Sequence, residues 1–375
     1  MANWFDLSPS SWATALFAIG WVCGWTLLAR PPRLVPVDLP AEAWQVSAGA
    51  RPPISVVVPA RNEAELIGRV LAGVLQQLGA DDEVIVVDDH STDATAELAR
   101  VQGATVVAAP VLPDGWAGKT HACAFGAAHV GTEPARVLVF LDADVDPGPG
   151  LLDALAAKVV AEPQALVTVQ PWHRTERLIE NASLLFNLAA LMGSGACSVL
   201  GPTAAGRVAF GPVLACRRSR YDELGGHAHP DVRAAVLEDI ALARRFETVD
   251  ISVGVAGGTE FRMYPDGWRS LVQGWTKGMG IGLDATPWWA VLGVAAWMWS
   301  LAGGWLASPW FWVASVVQLL VLARVAGRFS PVAVLMYPVL TAAFVLIVVR
   351  SVVLRRLGRT VVWKDRRVRP DQATG

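Results

Sequence analysis

The sequence predicts an α/β domain, a mostly parallel sheet with helices on both faces, held between N- and C-terminal transmembrane helices. Three observations lead there. Of the 375 residues, 53% are hydrophobic and only 17% are charged, with a mean hydropathy of +0.41, which is too apolar for an ordinary soluble enzyme. The apolar excess sits at the two ends of the chain, and most of the charge lies between them or in a basic C-terminal tail. In the middle, strand-like and helix-like patterns alternate, the signature of a parallel sheet covered on both sides. The net charge of −2 supplies no basic field for a nucleic-acid partner, and none is expected. Cys23, Cys123, Cys197 and Cys216 form no CxxC pair, so neither a zinc site nor a disulfide framework is read from them.

Taken in order, residues 12–29 are an uncharged run followed at once by Arg30 and Arg33. At the helical rise the run spans about 27 Å. It reads as an N-terminal transmembrane anchor (1–30) and not as a cleavable leader, because the basic residues follow the apolar core. The positive-inside rule then places residue 30 onward in the cytosol. Residues 31–52, rich in Pro and Ala, form a linker. The α/β domain is assigned to 53–267, with strands at 54–58, 83–87, 105–108 and 137–141 and helices at 63–78, 94–101, 119–129 and 236–246. Residues 268–287 read as an interfacial segment, Trp268 and Trp275 at the headgroups and Arg269 and Lys277 snorkelling. A C-terminal transmembrane region (288–354) is cut into segments near 288–306, 309–323 and 331–349, and tryptophans crowd the first two. A basic tail (355–375) closes the chain. Three crossings would leave that tail outside, whereas its arginines argue for inside; the short 309–323 stretch is the expected exception, re-entrant or interfacial.

Ligands of parallel α/β sheets bind beyond the carboxyl ends of the strands. Three strand ends there are polar: Pro59-Ala60-Arg61-Asn62-Glu63, then Asp88-Asp89-His90-Ser91-Thr92-Asp93, then Asp142-Ala143-Asp144-Val145-Asp146. Any one of them alone reads equally well as helix capping, with Ser91 or Asp93 as the cap. Capping does not call for acidic pairs at two of the three ends. Asp142 and Asp144, two apart, place like charges close together, which a divalent cation with hard oxygen ligands relieves; Mg²⁺ or Mn²⁺ shared with a diphosphate is the economical solution. Lys119 opens a helix after the Gly-containing stretch 115–118, a position that favours a phosphate. The full glycine pattern of a P-loop is missing. Glu238 and Asp239 lie in the first turn of a helix, where they either complement the helix dipole or, beside a metal-diphosphate site, serve as general base.

The ordered set PARNEAE (59–65), VVDDHSTDAT (86–95), GWAGKTHACAFGA (115–127), FLDADVD (140–146), LGGH (224–227) and LEDIALARRF (237–246) resembles the family-2 glycosyltransferases of the GT-A fold over about residues 53–280. Within that family it looks nearest to membrane-bound bacterial enzymes linked to carotenoid and hopanoid glycosylation. The resemblance implies that Pro59, Arg61 and Glu63 line the nucleotide pocket, with Asp88 or Asp89 on the uracil or ribose. Lys119 would lie near the phosphates, and Asp142 would contact ribose or metal. Asp144 would be the main metal ligand, and Asp239 of the Glu238-Asp239 pair the base. Gly226 and His227, after Gly225, would shape the acceptor side. Trp275 and Lys277 would cover the diphosphate, although Gln273-Gly274-Trp275-Thr276-Lys277 only partly echoes the QxxRW motif of processive synthases. The expected activity is inverting, metal-dependent transfer from a nucleotide-sugar donor, a UDP-sugar first, to a lipid acceptor at the cytosolic face of the cell membrane. A polyprenyl-phosphate acceptor, which needs no strong base, and a non-catalytic membrane protein with a degenerate sugar-nucleotide domain are the alternatives.

Overall fold

The computed structural model describes residues 9–35, 51–255, 257–357, 361–363 and 366–368. Most of the expected linker, 36–50, and most of the basic tail lie outside the described residues. The chain divides into two compact units. One, the sheet unit, comprises Arg33–His173, Arg207–Met263 and Thr360–Gly375; the other, the helical unit, comprises Met1–Pro32, Arg174–Gly206 and Tyr264–Arg359.

Valine-rich runs bounded by turns build the sheet unit. β1 (Ile54–Ala60), β2 (Glu83–Asp88), β3 (Thr105–Ala108), β4 (Val137–Leu141), β6 (Ala165–Gln170), β8 (Val213–Arg217) and β9 (Thr248–Val253) form a seven-stranded sheet in the order β3-β2-β1-β4-β8-β6-β9. All neighbours are parallel except β8, which runs antiparallel to both β4 and β6. The short β5 (Val145–Asp146) and β7 (Trp172–Arg174) flank β10 (Glu260–Phe261), antiparallel and parallel to it respectively. Leu34, fully buried, bridges to Val255 and so pins the start of the expected linker onto this unit.

Alternate residues of each strand feed two cores. Val56, Val58, Val84, Val86, Val137 and Val139 face α2 (Ile67–Leu75), α3 (Thr95–Val101) and α5 (Leu151–Ala161). Val57, Ile85, Val87, Leu138 and Phe140 face α4 (Gly118–Ala127), α7 (Arg218–Glu223), α8 (Pro230–Arg233) and α9 (Glu238–Ala243). Gly126 lets α4 lie flat on this second face, since a Cβ there would overlap Val57.

Two helices are shorter than expected. The helix over 63–78 begins only at Ile67, because residues 62–64 are bonded across to the loop after β2 instead of into a helical ladder. The helix over 236–246 contains only Glu238–Ala243; the chain before and after it closes in turns, and buried Phe246 leads straight into β9.

The helical unit contains α1 (Pro9–Leu27), α6 (Leu184–Ser194), α10 (Trp268–Ala285), α11 (Trp288–Ala307), α12 (Pro309–Ala326), α13 (Pro331–Leu335) and α14 (Tyr337–Arg356). α11, α12 and α14 are each long and apolar enough to cross a membrane, while the apolar part of α1, Ser11–Leu27, is shorter. The segment expected at 309–323 is thus a full 18-residue helix that runs through Arg324. The segment expected at 331–349 is split at Met336 and extends to Arg356, because Pro338 has no N–H to give and opens a new helix instead of continuing one.

Gly20 and Gly24, one turn apart on α1, set the close approach of α1 to α11: a Cβ at Gly20 would overlap the Ala296 carbonyl, and one at Gly24 would stand 2.6 Å from the Trp297 ring. Small residues at this spacing allow such contact between apolar helices. Gln318 joins three helices. Its Nε2 donates to the Trp21 carbonyl at 2.6 Å, and its Oε1 accepts from Trp297 Nε1 at 3.0 Å. A buried amide in an apolar bundle is retained only with both ends bonded, and Gln318 meets that condition.

Candidate active site

The carboxyl ends of β1, β2 and β4 lie together, as the parallel register requires. Pairing of Ala60 with Asp88 and of Val57 with Phe140 brings the loops after β1, β2 and β4 to one end of the sheet. The first two loops are stitched to each other. Arg61 Nη1 donates to the Asp89 carbonyl at 2.7 Å, Asn62 Oδ1 accepts from the Thr92 N–H at 2.8 Å, and the Glu63 N–H donates to Thr95 Oγ1 at 2.8 Å. Asn62 and His90 both adopt left-handed backbone, with φ of 54° and 57°, which lets each loop turn sharply beside the other. Asp93 is consumed in this work: its carboxylate takes the N–H groups of Ala64 and Thr95. Partial burial opposes its charge, but the bonds from Thr95 and Ala64 prevail and hold its pKa below the usual carboxylate value. Capping therefore accounts for Asp93. Asp88 accepts from the Ser91 N–H at 3.3 Å, and Asp89 is buried. Pro59, Arg61 and Glu63 remain partly exposed along the same edge.

After β4, burial alternates: Asp142, Asp144 and Asp146 are partly exposed, whereas Ala143 and Val145 are buried. The chain turns at 143–144, closed by the Val145 N–H on the Asp142 carbonyl at 3.1 Å. The antiparallel β8 contributes here, because it starts where β4 ends. Its leading residues Gly211 and Pro212 therefore arrive at the carboxyl end of β4, and the Asp142 N–H donates to the Pro212 carbonyl at 3.0 Å.

Lys119 is the centre of the arrangement. Its Nζ lies 2.6 Å from Asp142 Oδ1 and 2.6 Å from Glu238 Oε1. The start of α4 is tied down by the Ala117 N–H on the Arg233 carbonyl at 2.8 Å. Burial disfavours the ammonium, but the carboxylates of Asp142 and Glu238 outweigh it and push the Lys119 pKa well above its ordinary value. Glu238 is buried; Asp239 beside it is partly exposed. A Cβ placed on Gly211 would lie 3.1 Å from Asp239 Oδ2 and 3.2 Å from Lys119 Nζ, so both groups converge on the space that this glycine leaves open. Cys123, one turn along α4 from Lys119, has its thiol pKa raised by burial in spite of the lysine, which makes it an inert apolar filler.

Gly225 and Gly226 both have positive φ, 77° and 49°. His227 is fully enclosed, packed edge-on against Phe140 with ring centroids 4.6 Å apart, and its Nδ1 lies 3.0 Å from the Tyr221 hydroxyl. It stands behind the site, not on its surface. Burial drives its pKa down to about 4, with Glu238 pulling up and Lys119 pushing down. The folded protein therefore keeps His227 neutral, while the unfolded chain protonates it near pH 6.5. Stability from this residue is complete above about pH 6.5 and is lost as pH falls toward 4, a total of about 3 kcal/mol. Thermal melts of wild type and His227→Gln across this window should show a shallower pH slope in the variant; identical slopes would refute the assignment.

Trp275 and Lys277 belong to α10 in the helical unit. The Trp275 indole donates to Ser183 Oγ at 3.2 Å and stacks on Phe186 with ring centroids 4.8 Å apart. Sequence reasoning missed Gly211 and the Pro212 carbonyl; the Gly-Pro pair ahead of an apolar strand was the available signal of a turn there.

Among the described residues no group of three or more His, Cys, Asp or Glu is arranged to hold a metal ion. Asp142 and Asp144 nonetheless fit one. They are hard oxygen donors two residues apart at one turn, and a cation, the Lys119 ammonium, is already held against Asp142. The remaining ligands would have to come from a substrate.

A loop pair at two strand ends, two aspartates and a lysine at a third, and a further carboxylate facing Gly211 thus lie at one end of the sheet. The family model for glycosyl transferase family 2 matches residues 55–189. The 4,4'-diaponeurosporenoate glycosyltransferase of Staphylococcus aureus is 32% identical over 337 residues, covering 84% of this chain and 87% of its own. The chain belongs to glycosyl transferase family 2, has the GT-A architecture, and is a glycosyltransferase. Among solved structures, a mannosyltransferase from Pyrobaculum calidifontis in complex with GDP-Man and Mn²⁺ aligns over 92% of this chain and 98% of its own, at 17% identity and a TM-score of 0.49. Glucosyl-3-phosphoglycerate synthase from Mycobacterium tuberculosis, in complex with Mn²⁺, UDP and phosphoglyceric acid, aligns over 61% and 77% at 24% identity and a TM-score of 0.39.

Proposed function

We propose that this glycosyltransferase moves a sugar from a UDP-sugar to a carotenoid-type lipid acceptor at the cytosolic membrane face, inverting the anomeric carbon, with Mg²⁺ or Mn²⁺ bound. The observation that carries it is the convergence of Lys119 and Asp239 on the space at Gly211, with Asp142 bonded to the lysine. Asp239 is the base that takes the proton of the incoming acceptor group; a single displacement with a base on the acceptor side inverts the centre. Pro59, Arg61, Glu63, Asp88 and Asp89 receive the nucleoside. Asp142 and Asp144 would hold the metal, whose charge would offset that of a departing diphosphate. Lys119 supplies a further positive charge to the same leaving group. Gly226 and His227 support the acceptor side from behind. The acceptor class rests on the named substrate of the S. aureus relative and on apolar helices able to hold a lipid beside the enzyme.

Helix directions support a cytosolic site and a cytosolic tail. α1 and α11 are antiparallel, since a Cβ at Gly20 meets Ala296, one at Gly24 meets Trp297, and one at Gly293 meets Leu27. α1 and α12 run the same way, with Phe17 stacked on Phe311 and Trp21 bonded to Ala314. Three alternating crossings return the chain after α12 to the side of Arg30. α14 then runs beside α10, where the Gly280 N–H donates to Ser351 Oγ and Arg355 pairs with Asp284, so its basic end stays near the polar helix α10. α14, not α12, is in this reading the helix that fails to cross, and the conflict between parity and charge disappears.

Membrane vesicles test the whole reading. A panel of UDP- and GDP-sugars, which do not cross bilayers, is supplied with metal and lipid extract to inside-out and right-side-out vesicles. Metal-dependent sugar transfer from a UDP-sugar into lipid, and trimming of a C-terminal tag by protease, are both expected in inside-out vesicles alone. Transfer without metal, transfer from GDP-sugars only, or activity in right-side-out vesicles would each remove the corresponding part.

A further inference from the structure

We infer that Lys119 holds the cation position of the resting site, so that the divalent ion binds only together with the donor diphosphate. The inference rests on the metal-dependent reading above and extends it to the order of assembly. Three features carry it.

The first is that the Lys119 ammonium is bonded to Asp142, one of the two carboxylates assigned to the metal, at 2.6 Å. A divalent ion at Asp142 with the ammonium still in place would set two positive centres on one carboxylate, and their repulsion is strong away from bulk water. The second is that Lys119 has a second anchor. Glu238, buried and 2.6 Å away on the other side, keeps the ammonium between the two carboxylates in the resting state. The third is that the lysine has somewhere to go. Gly211 puts no Cβ between the two groups that meet there, Lys119 Nζ and Asp239 Oδ2, 3.2 and 3.1 Å from that position, and a lysine stem is flexible enough to turn toward it.

A diphosphate arriving there offers the ammonium a more highly charged partner than Asp142. Transfer of Lys119 from Asp142 to the phosphate releases that carboxylate, and the phosphate oxygens add to the ligands that the two aspartates offer. Metal and nucleotide then bind with positive coupling, each raising the affinity for the other by the same factor. Lys119 is a positioning residue for the metal in the empty site and a ligand of the donor in the loaded one.

Equilibrium dialysis of the detergent-solubilised full chain against Mn²⁺ tests this, with UDP and, separately, GDP as the added diphosphate. Wild type without nucleotide is expected to retain almost no Mn²⁺ and to retain it when UDP is present. Lys119→Met is expected to retain Mn²⁺ without nucleotide, at least about tenfold more tightly than wild type, and to show weakened coupling to UDP. Lys119→Gln serves as a second variant with a polar side chain of similar length. Nucleotide-free wild type binding Mn²⁺ as tightly as these variants would overturn the inference and leave the metal-dependent reading standing. Wild type retaining no Mn²⁺ even with either diphosphate would overturn that reading and the inference together.

Discussion

Asp239→Asn should lower the rate of sugar transfer by about 10²- to 10⁴-fold, the range of general-base catalysis, without loss of the folded protein. The carboxylate is oriented by the Ile240 N–H on Oδ1 at 2.9 Å, and its other oxygen faces the space at Gly211. An amide of the same shape keeps the first contact and cannot accept a proton. Glu238→Gln should behave differently. Glu238 is buried against Lys119, so its loss frees the lysine and is expected to weaken donor binding more than the chemical step. Steady-state kinetics with circular dichroism as the folding control separates the two. Wild-type turnover in Asp239→Asn would remove the base from its role and favour an acceptor already ionised, such as a lipid phosphate.

Gly226→Ala should unfold or strongly destabilise the sheet unit. A Cβ there would fall inside the ring of Tyr221, which is buried and hydrogen-bonded through its hydroxyl to the His227 N–H at 3.0 Å. The backbone is also left-handed, at φ 49°. Overpacking of 1–3 kcal/mol plus strain of 1–2 kcal/mol gives a loss of about 2–5 kcal/mol. Gly225→Ala pays the strain and meets only the edge of His229, at 3.3 Å, so its loss should be smaller. Thermal melts of both variants decide the point; equal and small shifts would mean that the Tyr221 ring moves aside freely.

The strands and their polar ends could be read from the chain because they depend on local pattern. The β1, β2, β3 and β4 runs are rich in Val and bounded by turns, and each begins where its pattern begins. The ends of α2 and α9 could not be read that way. They are decided by bonds to distant residues, Glu63 to Thr95 for α2, and by the immediate return into β9 for α9. The same holds within the site. The acidic residues announced themselves by type, whereas Gly211 matters because β8 runs against its neighbours, a fact of pairing that no single segment contains. The helix N-terminus marks Lys119 as a phosphate ligand from sequence, whereas its grip on Asp142 and Glu238 is a product of the fold. The LGGH run points His227 to the acceptor side, and only packing shows it enclosed against Phe140.

The knot at Gln318 has a consequence for how the protein is made. The Trp21 carbonyl and the Gln318 amide that meet in the bundle are separated by 297 positions in the chain. During synthesis α1 therefore leaves the ribosome long before its partners exist, with the groove at Gly20 and Gly24 open and no helix to fill it. Arg33–His173 and Arg207–Met263 of the sheet unit are translated while α1 waits. Final assembly of the bundle is thus a late event, and a ribosome that stops before Trp288 releases a chain in which α1 has neither α11 at its glycines nor Gln318 at its Trp21 carbonyl.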